Sequence, residues 1–342
     1  TKIIRNAGGG TVTIDAGGAS RVFDINAGTR VTLDGLEITG GVTTGGGDGA
    51  GIDTDGDSTV VRNSAVFGNV SNDNGGGLFQ RAGSQLFIEN STFADNRARD
   101  RGAGLTVRLN SVLTHVSVVG NVSDDNDQGA GIDRVGGGPT APVLTNVLVA
   151  DNVGANQIRG SAWVFQGVNL VEGCTTCAAG TITLDPLAQP LANNGGPTRT
   201  VALAPGSLAI DAATTVLATD QRGVARPQGP GSDIGAYEAP FSGVVQGVVV
   251  TPDGLATPVQ RSVGGGYILD FVVENTGDQA EDIDLVATLG PTAATSFLSV
   301  TGLASGGTTS TDSTLTLPAL ASGASAIVTA TYAVTPSTVG AV

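Results

Sequence analysis

The sequence predicts an all-β chain, a right-handed parallel β-helix followed by an antiparallel Ig-like β-sandwich. Three observations predict it. Gly makes up 53 of 342 residues, aromatics make up 4% and Met is absent, so any core is built from small side chains, and the composition favours strands and turns over helices. A unit of fewer than about 32 residues recurs through the first half of the chain. Beyond residue 240 the pattern changes to strict two-residue alternation. The expected domains are a β-helix over 1–180, a closing segment over 181–240 and a sandwich over 241–342.

The repeat is visible in phase. GAGIDTDGDSTVVRNSAVFGNVSNDN (49–74) is followed by GGGLFQRAGSQLFIENSTFADNRARD (75–100), and two further copies extend to residue 156. One apolar column holds Leu33, Val61, Ile88, Leu113 and Leu144. Two residues later come Gly35, Asn63, Asn90, His115 and Asn146. Three further on stand Ile38, Val66, Phe93, Val118 and Val149, and three more bring Gly41, Asn69, Asn96, Asn121 and Asn152. So short a unit cannot bury its own apolar columns, whereas copies stacked at ~4.8 Å can. Asn suits the two polar columns because it tolerates left-handed backbone angles and its amide can bond to the Asn above. Both columns are therefore expected to be structural ladders. Asn69, Asn90 and Asn121 also begin glycosylation sequons.

Asp53, Asp55 and Asp57 alternate like the first ligands of an EF-hand. The sixth and twelfth positions of such a loop want Gly and Glu, and Ser58 and Ser64 stand there. A structural turn is the preferred reading, with a loosely held surface Ca2+ as the alternative and no other cofactor expected.

RVFDINAGTRVTLDGLEITGG (21–41) and the Asn-Ser, Gly-Asn and Asp-Asn repeats after it resemble the secreted bacterial β-helix proteins related to polymorphic outer-membrane proteins. LDPLAQPLANNGGPTRTVALAPGSLAIDAA (184–213) and TDQRGVARPQGPGSDIGAYE (219–238) resemble the choice-of-anchor segment that closes such helices. The resemblance implies an extracellular or bacterial cell-surface location and a C-terminal region used for attachment or secretion. In this segment Leu184, Leu187, Leu191, Leu203, Leu208, Ile210 and Ile234 are expected to cover the last coil. Asp211, Asp220, Arg222, Arg226, Asp233 and Glu238 are expected to hold the cover by ion pairs.

After Pro240, alternation places Tyr267, Leu269, Phe271 and Val273 on one face of a strand, Ile283, Leu285, Ala287 and Leu289 on another, and Ala326, Val328, Ala330, Tyr332 and Val334 on a third. The VENTG and LASGASAIVTATYAV stretches resemble Ig-like repeats of bacterial surface proteins. A seventh strand is missing, which predicts either further sequence beyond Val342 or a strand supplied by a neighbour.

Function is constrained mostly by exclusion. The net charge is −15 with a single lysine, Lys2, so no basic face for nucleic acid is expected, and no apolar run reaches membrane-spanning length. Cys174 and Cys177 are too few for zinc, so a local disulfide of an oxidising compartment is expected. Hydrolysis of a glycoside needs two carboxyl groups about 5–9.5 Å apart. Asp95 and Asp151 lie two coils apart, at the edge of that range, while Asp53 and Asp133 lie three apart. Arg97, Arg99, Arg101 and Arg108 read as a solvated patch paired with Asp95 and Asp100, and Phe79, Trp163 and Phe165 as packing residues. The expected function is a non-enzymatic structural or adhesive protein, a cell-surface stalk or fibre subunit. It would self-associate end to end or through open strand edges. The alternatives are a polysaccharide lyase or hydrolase and an adhesin that binds a surface polysaccharide.

Overall fold

The computed structural model describes residues 1–125, 129–136, 140–240, 248–251, 266–276, 280–286, 298–306, 308–310 and 313–334. These residues form strands and turns and no helix. The chain divides into two compact units, Thr1–Phe241 and Ser242–Val342.

The first unit is a parallel β-solenoid. Its first face stacks seven strands in order: Lys2–Arg5, Arg30–Asp34, Ser58–Arg62, Leu86–Ala94, Ser111–Val119, Val143–Thr145 and Val164–Gln166. Each begins one coil, numbered here as rungs one to seven. The second face stacks Thr13–Asp15, Glu37–Thr39, Ala65–Phe67, the later halves of the two long strands, Leu148–Ala150 and Leu170–Val171. The third stacks Phe23–Ile25, Ile52–Thr54, Leu78–Gln80, Leu105–Val107, Gly129–Arg134 and Asn156–Arg159. Short strands at Val70–Ser71, Arg97–Ala98 and Val122–Ser123 form a further small sheet between the second face and the third.

Leu33, Val61, Ile88, Leu113 and Leu144 are register partners in successive rungs. So are Ile38, Val66, Phe93, Val118 and Val149. All ten are fully buried, because two-residue alternation turns them inward and the next rung covers them. Removing each from water contributes ~1.5–3 kcal/mol. Val12, Val22 and Phe23 pack on this core from rung one. Ile158, Trp163, Phe165, Cys174 and Cys177 pack on it at the far end.

The expectation that residues 181–240 cover the last rung holds only at the start of the segment, where Ile182 pairs in parallel with Leu170 of rung seven, and is corrected for the rest. Trp163 and Phe165 of that rung and the cystine pack on the core at this end, and the rest of the segment runs along the outside of the second face as a strap. Arg199 N donates to Glu37 Oε1 (3.0 Å) in rung two, Thr198 Oγ1 to Asn63 O (3.2 Å), Thr92 Oγ1 to Gln221 Oε1 (2.7 Å) and Ala236 N to Ser117 Oγ (2.9 Å). Beneath it lies a second apolar core. Ala94, Val119, Leu148, Ala150 and Leu170 meet Val201, Leu203, Ala209, Ala213 and Ile234. The outward side of this face explains the placement, since its side chains are apolar enough to need cover and mostly small enough to let another chain approach. Leu184, Leu187 and Leu208 are exposed instead. Arg226 and Glu238 pair at 2.6 Å and Arg222 and Asp220 at 2.7 Å, nearly free of solvent, which ties the strap to itself.

In the second unit a five-stranded antiparallel sheet runs Val248–Thr251, Gly266–Asn275, Ser325–Val334, Leu298–Ser305, Thr308–Ser310. Glu281–Val286 pairs with Thr314–Leu320 in a second sheet. Phe271, Val273, Leu303, Ala326, Val328 and Ala330 share one core with Ile283, Leu285, Leu315 and Leu317. Leu269, expected on the same face, is 36% exposed. Ala287, Leu289 and the residues after Val334, on which the missing-strand expectation rests, lie outside the described residues. So do the side chains of Tyr267, Tyr332 and Val334.

Candidate functional site

The residues that looked most like a site sit on the third face. Asp53 points outward from its strand yet is only 1% exposed, because Arg21 and Arg81 close over it. Its Oδ2 lies 2.6 Å from Arg81 Nη2 and 2.9 Å from Arg21 Nη1, and Arg21 also pairs with Asp24 of its own coil (3.3 Å), the register partner of Asp53. Burial raises the Asp53 carboxyl above its ordinary pKa, and the two guanidiniums oppose this. Its Oδ1 has no hydrogen-bond partner. Asp57 instead accepts Gly28 N–H at 3.1 Å, and Asp55 is half-buried. Asp53 and Asp57 are thus committed to different partners. Among the described residues no group of three or more His, Cys, Asp or Glu could hold a metal ion. Sequence reading missed Arg21 and Arg81. The signal was there, since Arg81 sits one rung above Asp55 in the same phase.

The two polar columns differ in role, and this corrects their description as one kind of ladder. Asn69, Asn96, Asn121 and Asn152 form a continuous amide ladder. Each Nδ2 donates to the next Oδ1, at 2.9, 3.0 and 2.8 Å, and each of those Oδ1 atoms also accepts the preceding Asn backbone N–H. The second amide hydrogen goes to the carbonyl of Ile38, Val66, Phe93 or Val118 in the rung before. Gly41 N–H begins the ladder, and Gln157 ends it by standing in for the next Asn (2.7 Å). Every buried polar atom of these amides is satisfied, as a dry interior requires.

A glycine column makes room for that ladder. Gly51, Gly77, Gly104 and Gly131 recur as the last glycine of GAG or GGG. A Cβ on any of them would lie 2.4–2.6 Å from the backbone oxygen of the next rung and 2.7–3.1 Å from the facing ladder amide nitrogen. The GAGIDTDGDS stretch at the start of the 49–74 copy is thus a wall of the coil, with Gly51 against Asn69 and Asp53 under its arginines.

The other column, Asn63, Asn90, His115 and Asn146, supplies the left-handed backbone angles, with φ of 51, 41, 50 and 55°. Its side chains mostly leave the stack to meet the strap. Asn90 donates to Thr219 O (2.7 Å), Asn146 to Thr214 O (2.8 Å), and His115 Nδ1 lies 3.3 Å from Gly235 O. Asn63 turns to Asp34 (3.0 Å). His115 is fully buried, and burial together with nearby Arg226 lowers its pKa to about 3. A neutral imidazole held between Asn146 and a carbonyl is a packing element with no substrate-facing side.

The carboxylates weighed as catalysts are scattered. Asp95 and Asp151 sit at left-handed corners, φ 53 and 55°, on exposed positions two rungs apart. Asp133 is 1% exposed beside Arg159. Arg97 pairs with Asp124 (2.6 Å), Arg101 with Asp100 (3.1 Å), and Arg81 and Arg108 flank the Phe79 ring at 5.5 and 5.8 Å. None of these arginines joins Asp95. One cavity that sequence reading missed, of about 470 Å³, is lined by Asn72, Asp73, Arg99, Asp100, Arg101 and Asp125. Burial raises the Asp73 carboxyl, helped by Asp48 and Asp100. It can accept and donate hydrogen bonds to a hydroxyl-rich molecule, but Arg101 occupies the neighbouring carboxylate. Cys174 and Cys177 are joined in a disulfide.

No protein-family model, curated protein or solved structure matches this chain. Among the described residues no helix is long and apolar enough to cross a membrane.

Proposed function

We propose that the chain is a non-enzymatic structural or adhesive protein of an extracellular or bacterial cell surface, a stalk or fibre subunit. Its solenoid is read as right-handed and its second unit as an Ig-like sandwich, as in the secreted proteins that the sequence resembles. One observation carries the reading: most of the buried side chains able to do chemistry are committed to holding coils together. Four Asn fill one ladder, His115 and two further Asn fasten the strap, and Asp53 and Asp133 lie under arginines. The disulfide supports an oxidising compartment. Gln157 at the end of the ladder, and the cystine and Ile182 bridge at the last rung, weigh against growth from that end, so self-association is proposed through sheet edges and faces.

A second reading, binding of a surface polysaccharide, is favoured by the Asp73–Arg99 cavity alone. Incubation with a panel of acidic and neutral polysaccharides tests both, with release of reducing or unsaturated ends as the readout. Release above background would sink the non-enzymatic reading in favour of a lyase or hydrolase. Retention on a polysaccharide without release, lost in Asp73→Asn, would support the second. Electron microscopy of native material is expected to find the chain in stalks or filaments.

A further inference from the structure

The first face carries an outward surface that no part of the described solenoid unit covers. Its middle column is Ile3, Thr32, Val60, Phe87, Val112, Val143 and Val164, all in register. Six of the seven are apolar, and all are half-buried or exposed. Beside it runs a second outward column, Arg5, Asp34, Arg62, Glu89, Thr114, Thr145 and Gln166. Charge alternates along its first four rungs. Arg62 pairs with Asp34 at 3.0 Å. Among the described residues, Arg5 and Glu89 have no ion pair. The second face, with a comparable outward column, is buried under the strap.

We infer that the first face is an interface between two copies of this chain, packed face to face with their coils antiparallel. A two-fold axis parallel to the strands lays each column on itself in reverse order, so the same patch serves both partners. Charge then selects the register. Overlap of all seven rungs would set Glu89 against Glu89 of the second copy. A shift of one rung sets Arg62 against Glu89 of the second copy, twice, and Val60 against Phe87, twice. It also sets Ile3 against Val143 and Thr32 against Val112, and brings no like charges together. Six rungs of five residues make a contact of ~490 Å² per copy and ~1,000 Å² in all. That is near the lower limit for a specific interface, so the dimer is weak and salt-sensitive. The inference stands whether or not the proposed function does.

Sedimentation equilibrium of the full chain is the test. At about 50 mM salt a reversible dimer in the micromolar range is expected, weakened at least ~tenfold at about 500 mM. Phe87→Lys, Val112→Lys and Glu89→Arg change outward side chains, so each should leave the melting temperature unchanged while weakening association at least ~tenfold. Arg62→Glu combined with Glu89→Arg should restore association to within ~threefold of wild type. A chain that remains monomeric at ~500 µM and low salt overturns the inference. So does a dimer that forms equally well in Phe87→Lys and Val112→Lys.

Discussion

At the residue scale, asparagine and glycine make an interlocking pair. Asn121 both receives and passes on the ladder, and Gly104 stands against its amide. Asn121→Ala leaves Asn96 and Asn152 with unmade buried bonds, and about 3 kcal/mol of stability should be lost. Gly104→Ala presses a methyl on Gly131 O and Val118, and about 2–4 kcal/mol should be lost in urea unfolding. Gly9→Ala, with open space around it, should change stability by less than about 0.5 kcal/mol. His115 adds a pH signature. Its folded pKa of about 3 lies below the ordinary 6.5. The unfolded chain therefore takes the proton first, and the contribution present above pH 6.5 is lost as pH falls towards 3, at ~1.4 kcal/mol per pH unit. Asp233 has the opposite sign. Burial raises it to about 6, so its contribution is present below its ordinary 3.8 and is lost as pH rises through 6. Between about pH 4 and 6 the two slopes cancel. His115→Asn removes one of them. Relative to wild type, that variant should gain stability as pH is lowered from 6.5 to 4, which urea titrations across this range will measure.

At the scale of elements, the strap is the part that sequence reading placed wrongly beyond its first residues, where Ile182 meets the last rung as expected. Its apolar residues were visible, but nothing in their spacing says which surface they cover. The missing signal lay in the partner. Outward positions of the second face hold Ala94, Val119, Leu148 and Ala150, where the first face holds Arg62 and Glu89. A face that carries apolar side chains on both sides belongs between two layers. Ala94→Glu, a charge in the floor beneath the strap, is expected to raise amide exchange across 198–236 at least ~tenfold. The inner ladder amides of Ile88 and Leu113 should stay protected. Equal loss of protection in both regions would mean that the strap and coils are one element.

For the solenoid unit as a whole, the strap changes how stability is distributed. A plain solenoid touches only its neighbours and can fray coil by coil. Bonds such as Asn90 to Thr219 join residues 129 apart and tie several rungs to one segment. The unit should therefore unfold in a single denaturant transition in wild type and in a broadened or split one in Ala94→Glu. Column membership, register and buried face were legible because identical residues recur at a fixed phase. The division of labour between the two Asn columns was not, because both positions favour the same residue for different physical reasons. The antiparallel strands of the second unit followed from alternation through Phe271–Val273 and Ala326–Ala330, while Leu269 departs from it.

Asn69, Asn90 and Asn121 each open an Asn-X-Ser/Thr triplet, yet they are 0%, 6% and 0% exposed. Any cell that attaches sugar to a growing chain would reach these amides before the coil closes over them, and no room remains afterwards for a branched glycan. Production in yeast or mammalian secretory cells should yield chains trapped before assembly, so a host without that modification is the practical choice for making this molecule.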